Sequence, residues 1–465
     1  MALVLKIIEN ILYRLSGNKN ENSSVDPSTS SNMTDYSKQH YVIVGAGVFG
    51  ISTAYHITKK FPGAKVTIID RTPFPCEAGA SWDSTKAVRA DYAHLFWCKL
   101  AWSAVDIWRN DPLFKPHFHE VGMVWLDDTG HAQRVLDTYK ELGIPNKAKM
   151  VSVKELTGMY PGLFDTTDYT GVSHILVNTM SGCAEAEKAV KSVYDYVISQ
   201  PGVEYKAATV AKVLFDDYGD TIGVLTTAGE KILGDTTLLC TSSYTSKLLA
   251  DSAPGRPEMH PGHRLGALGF ATGQLVLSER QREEFKMSPV FQQGTGKLQT
   301  LSMGLHSNGT LKIGSDLPIY NEVHVKGVDH PIRCPPEENN YDQFHVPPVL
   351  VKELDECAVR IFGDKAKELV YDPHSYRICW DIICPDGDFL ITQHPHSKNL
   401  VVATGGSYHG FKFLPVIGKY ILDIATGDID EEKRTRWAWD RDNGGDADEG
   451  LLPARRLSDL FTAKQ

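Results

Sequence analysis

A turn of the form GxGxxG, Gly45-Ala46-Gly47-Val48-Phe49-Gly50, stands between an apolar run, Tyr41-Val42-Ile43-Val44, and a segment of helical character, Ile51 to Lys60. Glycines at these spacings act through their missing side chains. The first lets the chain turn tightly, the second lets a pyrophosphate approach the backbone, and the third lets helix and strand pack closely. The free N–H groups at the helix start and its positive end then face the phosphates. Val66-Thr67-Ile68-Ile69-Asp70 follows as a second buried strand ending in an acid, 20 residues after Gly50, placed to accept from a ribose hydroxyl. Strand, glycines, helix, strand and acid in this order specify a βαβ unit that holds a dinucleotide, with Arg71 beside the acid as a further contact.

Such a unit needs the rest of a sheet. Ala207 to Phe215 alternates as a strand and carries Val210 toward the cofactor, and Thr237 to Thr241 reads as a buried strand leading into a helix over Ser242 to Leu249. The small, polar and basic run Ala80 to Tyr92 looks like a cofactor-facing loop, with Ser81 as a contact. The expected fold class is α/β: a Rossmann-type dinucleotide-binding domain interleaved with a second α+β substrate domain built on an antiparallel-rich sheet. The expected division is 40–95, 178–255 and 366–430 for the cofactor, and 96–177 and 256–365 for the substrate. Residues 1–39 read as an extension with a short apolar stripe and an Asn/Ser/Thr-rich linker, and 431–465 as a tail.

Composition narrows the class. The 465 residues are 42% hydrophobic and 23% charged, with 48 basic against 58 acidic side chains and a net charge of −10. Nucleic acid is a poor partner for that balance. No apolar run approaches the roughly 20 residues of a membrane span. Eight cysteines without CxxC pairs fit neither a disulfide scaffold nor a zinc site. The histidines of His260-Pro261-Gly262-His263 come with no ligand spacing, so no metal is expected, and neither a GxSxG elbow nor a Walker loop is present. The end, Thr462-Ala463-Lys464-Gln465, lacks the final leucine of an SKL-type address, which makes cytoplasm the expectation. A monomer is expected.

Further on stand Arg377-Ile378-Cys379-Trp380, Pro385-Asp386-Gly387-Asp388-Phe389-Leu390-Ile391 and Ala403-Thr404-Gly405-Gly406-Ser407-Tyr408-His409-Gly410-Phe411-Lys412-Phe413. With these, the chain from about Tyr41 to Gly427 resembles the FAD-dependent amine and amino-acid oxidases of the sarcosine oxidase type, in the D-amino-acid-oxidase-like superfamily. It is most similar to the fungal fructosyl amino-acid, saccharopine, pipecolate and N-methyl amino-acid oxidases. The resemblance implies FAD joined to the sulfur of Cys379, 33 residues before Lys412. It implies an amino-acid carboxylate held by Arg89 and Lys412, Lys86 beneath the flavin ring, and Lys312 in Thr310-Leu311-Lys312-Ile313-Gly314 as the residue that activates dioxygen. His409, Gly410 and Phe411 would meet the ring, with the start of a helix over Val416 to Ala425 aimed at its edge.

The reaction that the resemblance implies oxidises the C–N bond of an N-substituted amino acid to an imine with release of hydrogen peroxide. A flavin dehydrogenase with another acceptor and a flavoprotein without turnover are the alternatives. The sequence departs from the simplest sarcosine oxidases at Asp316, where those have histidine, and at Asp381, where they have tyrosine. Either acid would suit a substrate with a second cationic or hydroxyl-bearing part, and Trp82, Tyr92 and Trp380 are candidates for aromatic walls.

Overall fold

The computed structural model describes residues 35–336, 341–442 and 454–462. The apolar stripe of residues 1–34 and the final residues 463–465 lie outside the described residues. The fold is mixed α/β, organised around two large sheets.

The first has six strands in the order Leu390–Gln393, Leu400–Thr404, Thr236–Leu239, His40–Val44, Lys65–Asp70, Val203–Ala207. All neighbours run parallel except the first pair. Parallel strands are covered on both faces and therefore read as unbroken apolar runs, and Tyr41, Val42 and Ile43 are fully buried accordingly. The helix Val48–Lys60 packs between Ala186–Ile198 and Ile417–Thr426 on this sheet. It begins three residues earlier than the sequence suggests, because the second half of the glycine turn is already its first turn.

Two expected elements differ. The alternation through Ala207 to Phe215 is two strands, Val203–Ala207 in the parallel sheet and Val210–Phe215 in a separate three-stranded antiparallel sheet. Ala208 N–H makes the last bond of the parallel ladder, to the carbonyl of Asp70 at 2.7 Å, and the break follows it: the carbonyl of Thr209 already accepts from Thr227 N–H at 2.8 Å and Val210 pairs with Thr226 in the other sheet. The run after Gly410 is a 3-10 turn, Phe411–Phe413, and the helix starts only at Ile417. That helix start lies against Ser52, whose hydroxyl accepts from Gly418 N–H at 2.9 Å, so it is not free to face a ligand.

The second sheet has eleven strands, mostly antiparallel, with Gly266–Val276 and Thr310–Ser315 at its centre. The strand Arg377–Ile383, which the sequence reading grouped with 366–430 and the cofactor, pairs along Gly266–Val276 in this sheet. Arg455–Arg456 adds a parallel strand on Ile319–Tyr320. A small antiparallel sheet of Thr85–Val88, Gly182–Glu185 and Phe118–His119 holds the loop that precedes Arg89.

Candidate active site

The glycine turn has the geometry that its chemistry demands. Gly45 sits at φ +100°, and a Cβ there would lie 2.3 Å from the carbonyl oxygen of Cys240. A Cβ on Gly50 would lie 1.8 Å from the carbonyl oxygen of Gly45. At Gly47 a Cβ would meet only the side chain of Ser81 and would otherwise fill open space. Val48 N–H donates to Ser81 Oγ at 2.9 Å. Asp70 accepts from the N–H groups of Ala46 and Arg71, one on each oxygen at 2.8 Å, so the expected ribose acceptor also braces the turn.

A cavity of about 560 Å³ opens over this turn and is lined by Gly45, Gly47, Asp70, Arg71, Ser81 and Val210. The Arg71 guanidinium lies 4.2 Å from the centre of the Tyr244 ring at its wall. A second cavity of about 100 Å³ shares Gly47, Ser81 and Cys240 with the first, and reaches Val48, Phe49, Lys86, Asp381, Gly410 and Phe411. Together they make an elongated space that begins at a helix N-terminus, the shape and donor set that a flavin dinucleotide requires.

Pairing register explains what stands beyond it. Residues directly opposite in neighbouring strands share a face. Phe270 pairs with Cys379, Gln274 with Lys312, Gly314 with Leu301, Leu301 with Gln292 and Gln292 with Trp125. Cys379, Asp381, Phe270, Lys312, Asp316, Gln292 and Trp125 therefore lie on one face of the large sheet, while Ala267, Ala271, Ile313, Ile378 and Ile382 point into the core. Trp380, one residue from Cys379, is turned the other way and lines the larger cavity, its indole N–H on Tyr341 Oη at 3.1 Å. Of the three expected aromatic walls, Tyr92 is at the site. Trp82 presents its backbone carbonyl to Arg377.

Lys312 is 5% exposed and donates to Asp83 Oδ2. Lys86 Nζ binds the same oxygen at 2.9 Å. Burial drives the Asp83 carboxyl upward, but Lys312, Lys86 and Arg377 outweigh it and hold the group well below the usual carboxylate range. Burial, only partly offset by Asp83, lowers Lys312 from its ordinary value. Arg377 also lies 3.9 Å from Cys379 Sγ. Cys384, by contrast, packs beneath Gly405, where a Cβ would come within 2.6 Å of its sulfur. Asp83 was not singled out from the sequence; its only signal was its place in the polar run before Lys86.

The other two cations gather on one ring. The Arg89 guanidinium lies 4.6 Å and Lys412 Nζ 5.4 Å from the centre of Tyr92, and Arg89 is also 5.1 Å from the Trp125 ring. Arg89 donates to the carbonyl of Asp91, whose carboxylate is held by Tyr139, Asn178 and Ser181. Among the described residues, neither cation is ion-paired with a carboxylate. The His409 imidazole, an expected ring contact, is turned away between Tyr92 and the carbonyl of Gly387.

The two acids are placed differently. Asp381 accepts from Ile382 N–H at 2.8 Å and Tyr408 N–H at 3.0 Å, and this bond holds Tyr408 in a left-handed conformation at φ +63°. Its carboxyl is raised by burial. Asp316 takes a hydrogen bond from Gln292 and is pushed by burial up to about 6. Among the described residues no His, Cys, Asp and Glu cluster could hold a metal, and no helix is long and apolar enough to cross a membrane.

A family model described as FAD dependent oxidoreductase matches residues 40–424. The chain is 28% identical over 428 residues to an L-saccharopine oxidase of Schizosaccharomyces pombe, covering 86% of this chain and 93% of that protein. It is 22% identical over 408 residues to a monomeric sarcosine oxidase of a Bacillus species, covering 86% and 96%. A modified fructosyl peptide oxidase from Aspergillus nidulans shares the fold, with a TM-score of 0.79 at 24% identity over 91% of this chain and 98% of that one.

Proposed function

Because the chain belongs to the FAD dependent oxidoreductase family, we propose that it is an oxidase of the C–N bond of an amino acid bearing a substituted amine. The product would be an imine, with dioxygen as acceptor and hydrogen peroxide released. The observation that carries this reading is the pair Arg89 and Lys412. Half-buried Arg89 and buried Lys412, both on one tyrosine ring beside the large sheet and without a carboxylate partner among the described residues, form a basic pair, and a substrate carboxylate suits it. The relatives named for saccharopine, sarcosine and fructosyl peptide oxidation support the substrate class.

FAD, when bound, supplies the two-electron acceptor for the carbon–hydrogen bond next to nitrogen and the route of those electrons to dioxygen. Gly47, Ser81 and the first N–H groups of the helix Val48–Lys60 would hold its phosphates, and Cys379 is the proposed point of covalent attachment. Arg89 and Lys412 orient the substrate by its carboxylate. Asp316 and Gln292, side by side, are placed to accept from and donate to a polar group further along the substrate. Lys312 keeps a buried positive charge where oxygen anions develop.

Anaerobic titration with N-alkyl, cyclic and glycated amino acids tests the proposal. At least one class is expected to bleach the flavin absorbance and, on admission of air, to yield peroxide. A chain bleached by simple amines in preference to amino acids would not be this oxidase.

A further inference from the structure

Lys412 is 3% exposed, and among the described residues no carboxylate is ion-paired with it. Its Nζ meets two oxygens, Tyr92 Oη at 2.9 Å and the carbonyl of His409 at 2.7 Å. The direction of these bonds follows from the groups beyond them. His409 Nε2 lies 2.9 Å from the carbonyl of Gly387, which can only accept, so that nitrogen carries the hydrogen. In the neutral ring Nδ1 is then an acceptor, and its partner is Tyr92 Oη at 2.9 Å. Tyr92 commits its proton to His409, and its oxygen is left to accept from Lys412.

Lys412 thus has two acceptors. A neutral amine has two hydrogens and a lone pair, so it satisfies both bonds and keeps the lone pair. An ammonium would carry a third N–H, buried and without a partner among these groups, a state that costs free energy. The charged groups around it favour the same form. Arg89 lies over the same ring, and Asp91, the nearest acid on that segment, is taken up by Tyr139, Asn178 and Ser181. The helix Leu95–Asn110 brings Trp97, Cys98 and Trp108, whose indole N–H is bound to the carbonyl of Lys412. Burial first, and then Arg89, hold the Lys412 ammonium well below the usual lysine range. Burial and Lys412 do the same to the imidazolium of His409.

We propose that Lys412 stands in the free site as a neutral amine, and takes the proton of the substrate ammonium as the amino acid binds. It then becomes the cation that pairs with the carboxylate beside Arg89. The step balances: an N–H bond of the ammonium breaks, its electron pair stays on the substrate nitrogen, and the lone pair of Lys412 forms the new N–H bond. No proton is drawn from solvent. The substrate nitrogen is left with the lone pair that expulsion of a hydride from the neighbouring carbon requires. The inference rests on the amino-acid oxidase reading above.

Calorimetry of the flavin-loaded protein at pH 8, in two buffers of different ionisation enthalpy, tests it with two ligands that resist oxidation. Propionate brings a carboxylate without an amine, and 2-aminoisobutyrate brings both but has no α C–H. Propionate is expected to bind with uptake of about one proton, and 2-aminoisobutyrate with close to none. Lys412→Arg, a permanent cation, should bind propionate without uptake. Binding of propionate by the unaltered protein without uptake, or uptake that persists in Lys412→Arg, overturns the proton assignment alone. Failure of both ligands to bind overturns the carboxylate site and the proton assignment together.

Discussion

Asp83→Asn removes one charge and leaves three cations facing each other. In the folded protein one carboxylate oxygen receives both Lys312 and Lys86, with Arg377 near; Asp83, Lys312 and Arg377 are buried and Lys86 is half-buried. Truncating one partner of a buried pair costs about 3–5 kcal/mol, because the remaining charge stays uncompensated. Unfolding entropy of about 2.1 cal/mol/K per residue over 465 residues corresponds to roughly 1 kcal/mol per degree. The expected fall in melting temperature is therefore about 3–5 °C at pH 7.5, read by scanning calorimetry. The sign with pH follows from the depressed carboxyl. Its contribution is complete above the unfolded value of about 3.9 and is lost as pH falls through the lower folded value. The deficit of the variant should accordingly be level between pH 5 and 8, as pH settings of the assay, and shrink only in acid. Lys312→Met combined with Asp83→Asn should lose less than the two single changes added, since the double change removes both ends of the pair. A melting point within a degree of the parent, or losses that add in full, would refute the reasoning.

Three further outcomes are expected. Arg89→Ala should weaken amino-acid binding by roughly ten- to a hundredfold, the worth of a charge-assisted hydrogen bond of about 1.5–3 kcal/mol, and leave the decarboxylated amine nearly unchanged; equal weakening of both ligands would point to a general defect. Denatured protein should keep its yellow colour while Cys379→Ser releases it, which acid extraction checks directly. Lys312→Met should slow reoxidation by air by orders of magnitude and anaerobic reduction much less, measured by stopped-flow.

The residues legible in the sequence were those whose role forces a residue type. Gly45, Gly47 and Gly50 could be read because a close backbone approach admits no side chain, and each of the first and third would clash at under 2.5 Å with a Cβ. Lys312 was legible only through the family resemblance, since a lysine within Thr310-Leu311-Lys312-Ile313-Gly314 could equally stand on an exposed strand face. Asp83 could not be read, because the partner that explains it is 229 residues away in the chain. Trp125 and Phe270 were missed for another reason: an aromatic in an alternating strand looks the same whether its face meets the core or a ligand. The split of Ala207 to Phe215 was hidden because alternation continues through Ala208 and Thr209, and only the change of partner, from Asp70 for Ala207 to Thr226 for Val210, reveals the break.

The strand order of the parallel sheet has a consequence for the nascent chain. Leu390–Gln393 and Leu400–Thr404 complete a sheet whose other four strands are all made by Leu239. Until they emerge from the ribosome, Thr236–Leu239 is an outer strand whose four residues are all buried in the finished fold. An unpaired edge strand of that kind recruits other strands, and long-range pairing of this sort forms slowly. Chains cut short before residue 390 should therefore aggregate rather than persist as a free cofactor-binding half, and expression of the full chain should depend on chaperones that shield this one edge.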